Sequence, residues 1–255
     1  MSVIKTILNK ISIDKSCYIF IILALLSAHF QMLLILFFLL LIHECGHFFT
    51  ALIFKWPTEK IVFYPFGGVS KFSHAINCSL KEEILVLLMG PIMQLIFYYF
   101  LTNVDIFTNY YSSITIINYS ILIFNLLPIY PLDGGRLLHC FICYFTSYNL
   151  SFKIIYFISY LLLLIIILLF IYNPSINLLL IFIILIIKLL KEQKLTNYYK
   201  EKFLLERYLY KYNFKKSKIV TKENNFKRDY HHLLKIGQKY LLEEEYLKNK
   251  YKNNS

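Results

Sequence analysis

Charge is what this sequence has least of. Asp, Glu, Lys and Arg make up 16% of its 255 residues, where a soluble domain carries about a quarter. With 58% hydrophobic and 18% aromatic residues, that shortage excludes a disordered chain and an ordinary soluble enzyme. Cysteine is sparse and odd in number: Cys17, Cys45, Cys78, Cys140 and Cys143. Most lie in apolar runs, which argues against a disulfide framework. Cys140-x-x-Cys143, preceded by His139, has no second pair and reads as buried structural cysteines. No cleavable signal peptide is expected, because the first apolar run starts far from Met1 and no small-x-small site follows it. No recognition motif accompanies the positive charge, so nucleic acid is not an expected partner. A polytopic membrane protein remains.

What the chain does have is apolar runs. Six are long enough to approach the ~20 residues of a membrane span: Ser16–Phe30, Met32–Phe54, Glu82–Leu101, Ser113–Ile129, Phe152–Tyr172 and Ile176–Leu190. Leu137–Phe145 is a further apolar stretch, too short to span. Lys and Arg set the orientation. Segments 1–15, 55–81, 131–153 and 188–255 hold all 27 of them, and 18 fall in the last segment. The fold class expected is therefore an all-α polytopic membrane protein with six spans and both termini cytosolic. The basic tail reads as an orientation signal and solvated surface. Within it, Phe203–Tyr212 reads as an amphipathic helix on the bilayer, and His231-His232 reads as solvated.

Two acidic groups are embedded in apolar segments or tucked against them, Glu44 and Asp133. Intramembrane ionisable groups are costly and mark function by default. Glu44 belongs to His43-Glu44-Cys45-Gly46-His47, the HExxH zinc signature. On a helix, positions i and i+4 share a face, so both imidazoles can reach one ion. Glu44 is placed to accept a proton from activated water. Asp133 lies in Asn125-Leu126-Leu127-Pro128-Ile129-Tyr130-Pro131-Leu132-Asp133-Gly134-Gly135. There, Pro128 and Pro131 break the helix and the glycines permit a tight turn. On spacing alone, Asp133 is either a third ligand or a helix cap. A transporter or inactive scaffold using Glu44 and Asp133 as a proton path is the alternative reading.

The two motifs together resemble the site-2 protease family of intramembrane zinc metalloproteases, and most nearly its sporulation members. Tyr64-Pro65-Phe66-Gly67-Gly68-Val69, Met89-Gly90-Pro91 and Phe203-Leu204-Leu205-Glu206-Arg207-Tyr208 add to the likeness, which spans roughly residues 16–210. The resemblance implies one Zn2+ per chain held by His43, His47 and Asp133, with Glu44 as general base and then acid. It implies that Asn125 positions the substrate backbone and that Pro131 shapes the wall beside Asp133. Phe66-Gly67-Gly68 is implied to form a membrane-dipping hairpin whose edge pairs with an extended substrate.

The implied substrate is a membrane-associated precursor of the pro-sigma-K type, cleaved near the cytosolic face. Inhibitory membrane proteins are the implied partners, in the membrane surrounding a forespore, with the termini in the mother cell. Residues 1–190 would form the protease domain and 191–255 a basic tail with a truncated CBS-like remnant. Gln94 departs from the Asn that many members carry three residues after Gly-Pro, so no role is expected of it.

Overall fold

The computed structural model describes residues 11–13, 30–56, 58–64, 67–72, 76–104, 110–210 and 212–252. The expected first span, Ser16–Phe30, lies outside them except for Phe30, as do Cys17, His29, Pro65 and Phe66. The chain is mostly helical. In order it forms β1 (Ile11–Ile13), α1 (Phe30–Ile53), β2 (Thr58–Tyr64), β3 (Gly67–Phe72), α2 (Leu80–Thr102), α3 (Tyr111–Leu126) and α4 (Asp133–Phe145). These are followed by α5 (Tyr148–Tyr172), α6 (Ile176–Leu209), β4 (Lys216–Val220), β5 (Tyr230–Ile236), β6 (Lys239–Leu242) and α7 (Glu243–Lys252). Among the described residues, three helical segments are long and apolar enough to cross a membrane: Gln31–Ile53, Leu80–Thr102 and Tyr148–Tyr172. Tyr111–Leu126 is a shorter apolar helix.

The chain divides into two compact units. The first comprises residues 1–75 and 84–125. It holds α1, most of α2, α3 and a sheet in the order β1-β2-β3. β1 runs parallel to β2, and β2 is antiparallel to β3 with Tyr64 opposite Gly67 and Phe63 opposite Gly68. α1 ends without a glycine. Lys55 takes φ 57°, and the N–H groups of Lys55 and Trp56 donate to the Leu52 and Ala51 carbonyls, both at 2.9 Å. This is the Schellman arrangement, in which a left-handed residue caps the last carbonyls.

The second unit comprises residues 76–83 and 126–255. α6 continues from its apolar half through 190–191 to Leu209 as one helix. The stretch beyond it is a folded module, not the helical tail expected. β4 runs parallel to β5, β5 is antiparallel to β6, and α7 follows. The β5–β6 turn has Gly237 at φ +62°, a conformation open to glycine without steric cost. The module was hidden in the sequence because its apolar core is small, Val220, Phe226, Leu234 and Leu247, and is completed by the buried polar residues Arg228, His232 and Glu243.

Arg207 is buried and donates from all three guanidinium nitrogens. Nε donates to Asn77 Oδ1 at 2.8 Å, Nη1 to Glu243 Oε1 at 2.7 Å and Tyr230 O at 3.0 Å, and Nη2 to Lys227 O at 2.9 Å. The guanidinium lies 4.5 Å from the Phe203 ring centroid and 4.9 Å from that of Phe214. Arg228, also buried, pairs with Glu83 at 2.5 Å and donates to the Cys78 carbonyl at 2.9 Å. Its neighbour Asp229 accepts from the Leu80 N–H at 3.1 Å, so the start of α2 is capped by a residue from the module. In the last turns of α6, Phe203, Leu204, Glu206 and Arg207 are buried, with Phe203 stacked on Tyr148 at 4.4 Å, while Leu205, Tyr208 and Leu209 are exposed.

His231 is exposed, as expected, but His232 is buried. β5 alternates, which turns His232 and Leu234 inward. His232 Nε2 accepts the Lys227 N–H at 2.9 Å, so the ring is neutral with its proton on Nδ1, 3.0 Å from Glu243 Oε2. Burial lowers the His232 pKa, with Glu243 opposing. Burial alone would raise the Glu243 carboxyl, but hydrogen bonds from His232 and Arg207 hold it below its usual value. Both folded-state values are depressed, so the unfolded chain binds more protons and stability falls as pH drops. The expected result is a module that is stable above about pH 6.5 and loosens progressively through and below about pH 4.5. Hydrogen exchange over residues 226–247 at a series of pH values measures this.

Candidate metal centre

α1 forms because residues 30–53 are almost uniformly apolar and lack proline and charge except at one place. That place is His43-Glu44-x-x-His47. Helical geometry puts the two histidines one turn apart on one face. Both are buried, and their Nε2 atoms lie 3.2 Å apart.

The hydrogen bonds fix both tautomers. His47 Nδ1 lies 2.8 Å from the Val86 carbonyl, which can only accept, so Nδ1 carries the proton. His43 Nδ1 lies 2.8 Å from Gln94 Oε1. Gln94 Nε2 donates to Asn118 O and Oδ1, both at 2.9 Å, which identifies Oε1 as the acceptor face of that amide. Both imidazoles therefore present Nε2 lone pairs toward each other. Two lone pairs at that separation repel unless a cation stands between or beside them. Neutral imidazole with its second nitrogen anchored is the form that ligates zinc, so the pair fits the ion that the signature implies.

Close helix packing makes the pair possible. A side chain at Gly46 would strike the Met89 carbonyl, and one at Gly90 would strike the His47 ring. Pro91 follows, inside α2. It supplies no N–H to the Leu87 carbonyl and so weakens the helix beside the Val86 carbonyl that holds His47. Gly90→Ala is expected to displace the His47 imidazole and lower zinc affinity by at least tenfold, an effect of the size seen when a ligand's support is lost. Chelator competition on the purified variant measures it.

Glu44 is half-buried on α1, between the two histidines in sequence. In the second unit, Asp133 is the first residue of α4 and is half-buried. The helix cap position is Leu132, and Asp133 is the acidic residue of the first turn. The loop before it is held by Tyr130, whose N–H donates to Ser159 Oγ at 3.0 Å, and it contains the half-buried Pro131. Gly134 and Gly135 press against the Leu126 and Ile129 carbonyls, where a Cβ would clash. Asn125 is a half-buried residue near the end of α3. Gly67 and Gly68 begin β3. His43 and His47, in the first unit, each offer a ligand atom for a metal ion, and Asp133, in the second, carries the carboxylate of the implied third ligand.

Gln94 and Asn118 are the residues that motif reading missed. Each is 0% exposed. The available signal was their polarity: a lone amide inside an otherwise apolar helix needs a buried partner. Cys140 and Cys143 are free, buried thiols, as expected. His139 Nε2 and Cys143 Sγ both contact Ser151 Oγ, at 2.9 and 3.2 Å.

Residues 31–110 and 101–169 match the profile of peptidase family M50. The chain is 32% identical over 207 residues to stage IV sporulation protein FB of Bacillus subtilis, covering 78% of this chain and 71% of that protein. It is 27% identical over 126 residues to a zinc metalloprotease of Methanocaldococcus jannaschii, covering 48% of this chain and 37% of that one. Among solved structures it resembles the site-2 protease of the same archaeon. The TM-score is 0.56 at 25% identity, covering 72% of this chain and 91% of that one.

Proposed function

From the premise that the chain belongs to peptidase family M50, as a zinc metalloprotease of the site-2 protease type, we propose that it is an intramembrane endopeptidase. Its substrate is a membrane-associated precursor of the pro-sigma-K type, cut near the cytosolic face. The observation that carries this reading is the buried His43–His47 pair with both Nδ1 protons committed elsewhere. One zinc per chain is held by these two histidines and Asp133. A bound zinc ion polarises the scissile carbonyl and lowers the pKa of an attacking water toward about 7.

The chain's own residues do the rest. Glu44 takes the proton of the attacking water and returns it to the leaving nitrogen. Asn125 and Pro131 align the unwound substrate, and the Gly67-Gly68 end of β3 offers backbone groups for strand addition. Six spans with cytosolic termini account for the distribution of Lys and Arg. Inhibitory membrane proteins restrain the enzyme in the membrane around a forespore, and the module beyond α6 belongs to the cytosolic side.

The test is zinc analysis of the purified full chain, together with co-expression of a tagged pro-sigma-K-type precursor. About one tightly bound zinc per chain and a shortened precursor are expected. A metal-free protein would defeat the metal centre. Zinc without cleavage would defeat the substrate assignment.

A further inference from the structure

Beyond its two histidines, the first unit contains a buried polar chain with a defined direction. His43 Nδ1–H donates to Gln94 Oε1, and Gln94 Nε2 donates to both Asn118 O and Asn118 Oδ1. Three elements, α1, α2 and α3, contribute one member each. All three side chains are essentially inaccessible. Asn118 Nδ2 is buried with no hydrogen-bond partner. Leaving such a donor unsatisfied costs about 1–3 kcal/mol. An apolar residue at 118 would avoid that cost and suit the surrounding helix, so the amide has value for what its oxygens receive.

We propose that Gln94, oriented by Asn118, is a positioning residue for His43. Its amide oxygen holds the Nδ1 proton and so commits the Nε2 lone pair to the ion. Asn118 prevents the Gln94 amide from flipping, because a flipped amide would turn its NH2 against the His43 N–H and its oxygen against two acceptors. The proposal rests on the zinc reading above, and it assigns a role to a residue from which none was expected.

The test uses the full chain in detergent and reads metal binding apart from proteolysis. Zinc affinity is measured by chelator competition, and cobalt(II) substitution reports ligand geometry through its visible absorption. Gln94→Leu is expected to weaken zinc binding about 10- to 100-fold, the usual cost of losing a partner that orients a ligand. Gln94→Glu keeps an acceptor for His43 and is expected to bind zinc within a few-fold of wild type, although it cannot donate to Asn118. Asn118→Leu should weaken binding less than Gln94→Leu does. The double variant Gln94→Leu/Asn118→Leu should be no weaker than Gln94→Leu alone, because Asn118 acts only through Gln94.

Wild-type affinity and an unshifted cobalt spectrum in Gln94→Leu would overturn the proposal. Additive losses in the double variant would do the same. Should Gln94→Leu fail to fold, Asn118→Leu decides: weakened zinc binding with a shifted cobalt spectrum supports the relay, and wild-type behaviour removes it. A wild-type chain that binds no zinc would instead sink the metal centre itself, so the two failures are distinguishable.

Discussion

Glu44→Gln is expected to lower cleavage of a membrane-associated precursor by about two to four orders of magnitude, the contribution of a positioned general acid–base group. Zinc content should not change. The substitution keeps the size and the hydrogen-bonding reach of the side chain but removes its ability to take a proton. Glu44 is half-buried on α1 beside two histidines whose Nδ1 hydrogen bonds run to Val86 and Gln94. The groups that hold the two imidazoles are therefore untouched. His47→Ala is the contrasting variant: it should lose zinc and cleavage together. Parallel zinc analysis and a gel shift of the precursor separate the two. Cleavage at the wild-type rate in Glu44→Gln would remove the residue from the chemistry.

Arg207→Met is expected to release the module formed by β4, β5, β6 and α7. Removing one partner of a buried, hydrogen-bonded ion pair costs about 3–5 kcal/mol, because the other charge is left stranded. Here Glu243 would lose its ion pair and keep only its His232 hydrogen bonds, and Asn77 Oδ1 and the Tyr230 and Lys227 carbonyls would lose their donor. Amide protection across residues 216–247 should fall by two to three orders of magnitude at the least. Arg207→Lys should recover little. A single ammonium cannot reproduce a planar fork stacked between Phe203 and Phe214. Protection unchanged from wild type in both variants would show that β-sheet pairing alone holds the module.

Much of the site was readable from residues 43–47 alone. The i, i+4 spacing of His43 and His47 is enforced by backbone geometry, so recognising a helix was enough to bring the rings together. Three of the apolar runs became helices able to span a membrane, since apolar length alone fixes that capacity. The Gly134-Gly135 pair was legible as a close approach for a similar local reason. Gln94 was noticed only as a departure from a family pattern and given no role, and its partners are His43, 51 positions away, and Asn118, 24 away. No periodicity connects them.

The segment beyond α6 misled in the opposite sense. Its Lys, Arg and His residues read as solvated surface, yet Arg207, Arg228 and His232 are buried. Composition identifies a charge but not its environment.

Local geometry thus let the amino-acid order alone determine the apolar helices, the histidine pair and the acid beside it. Tertiary structure alone decided which nitrogen of each ring carries a proton, which amide orients it, and which cations are buried. Those depend on hydrogen-bond partners brought together from distant parts of the chain, and a partner's identity is set by packing rather than by spacing.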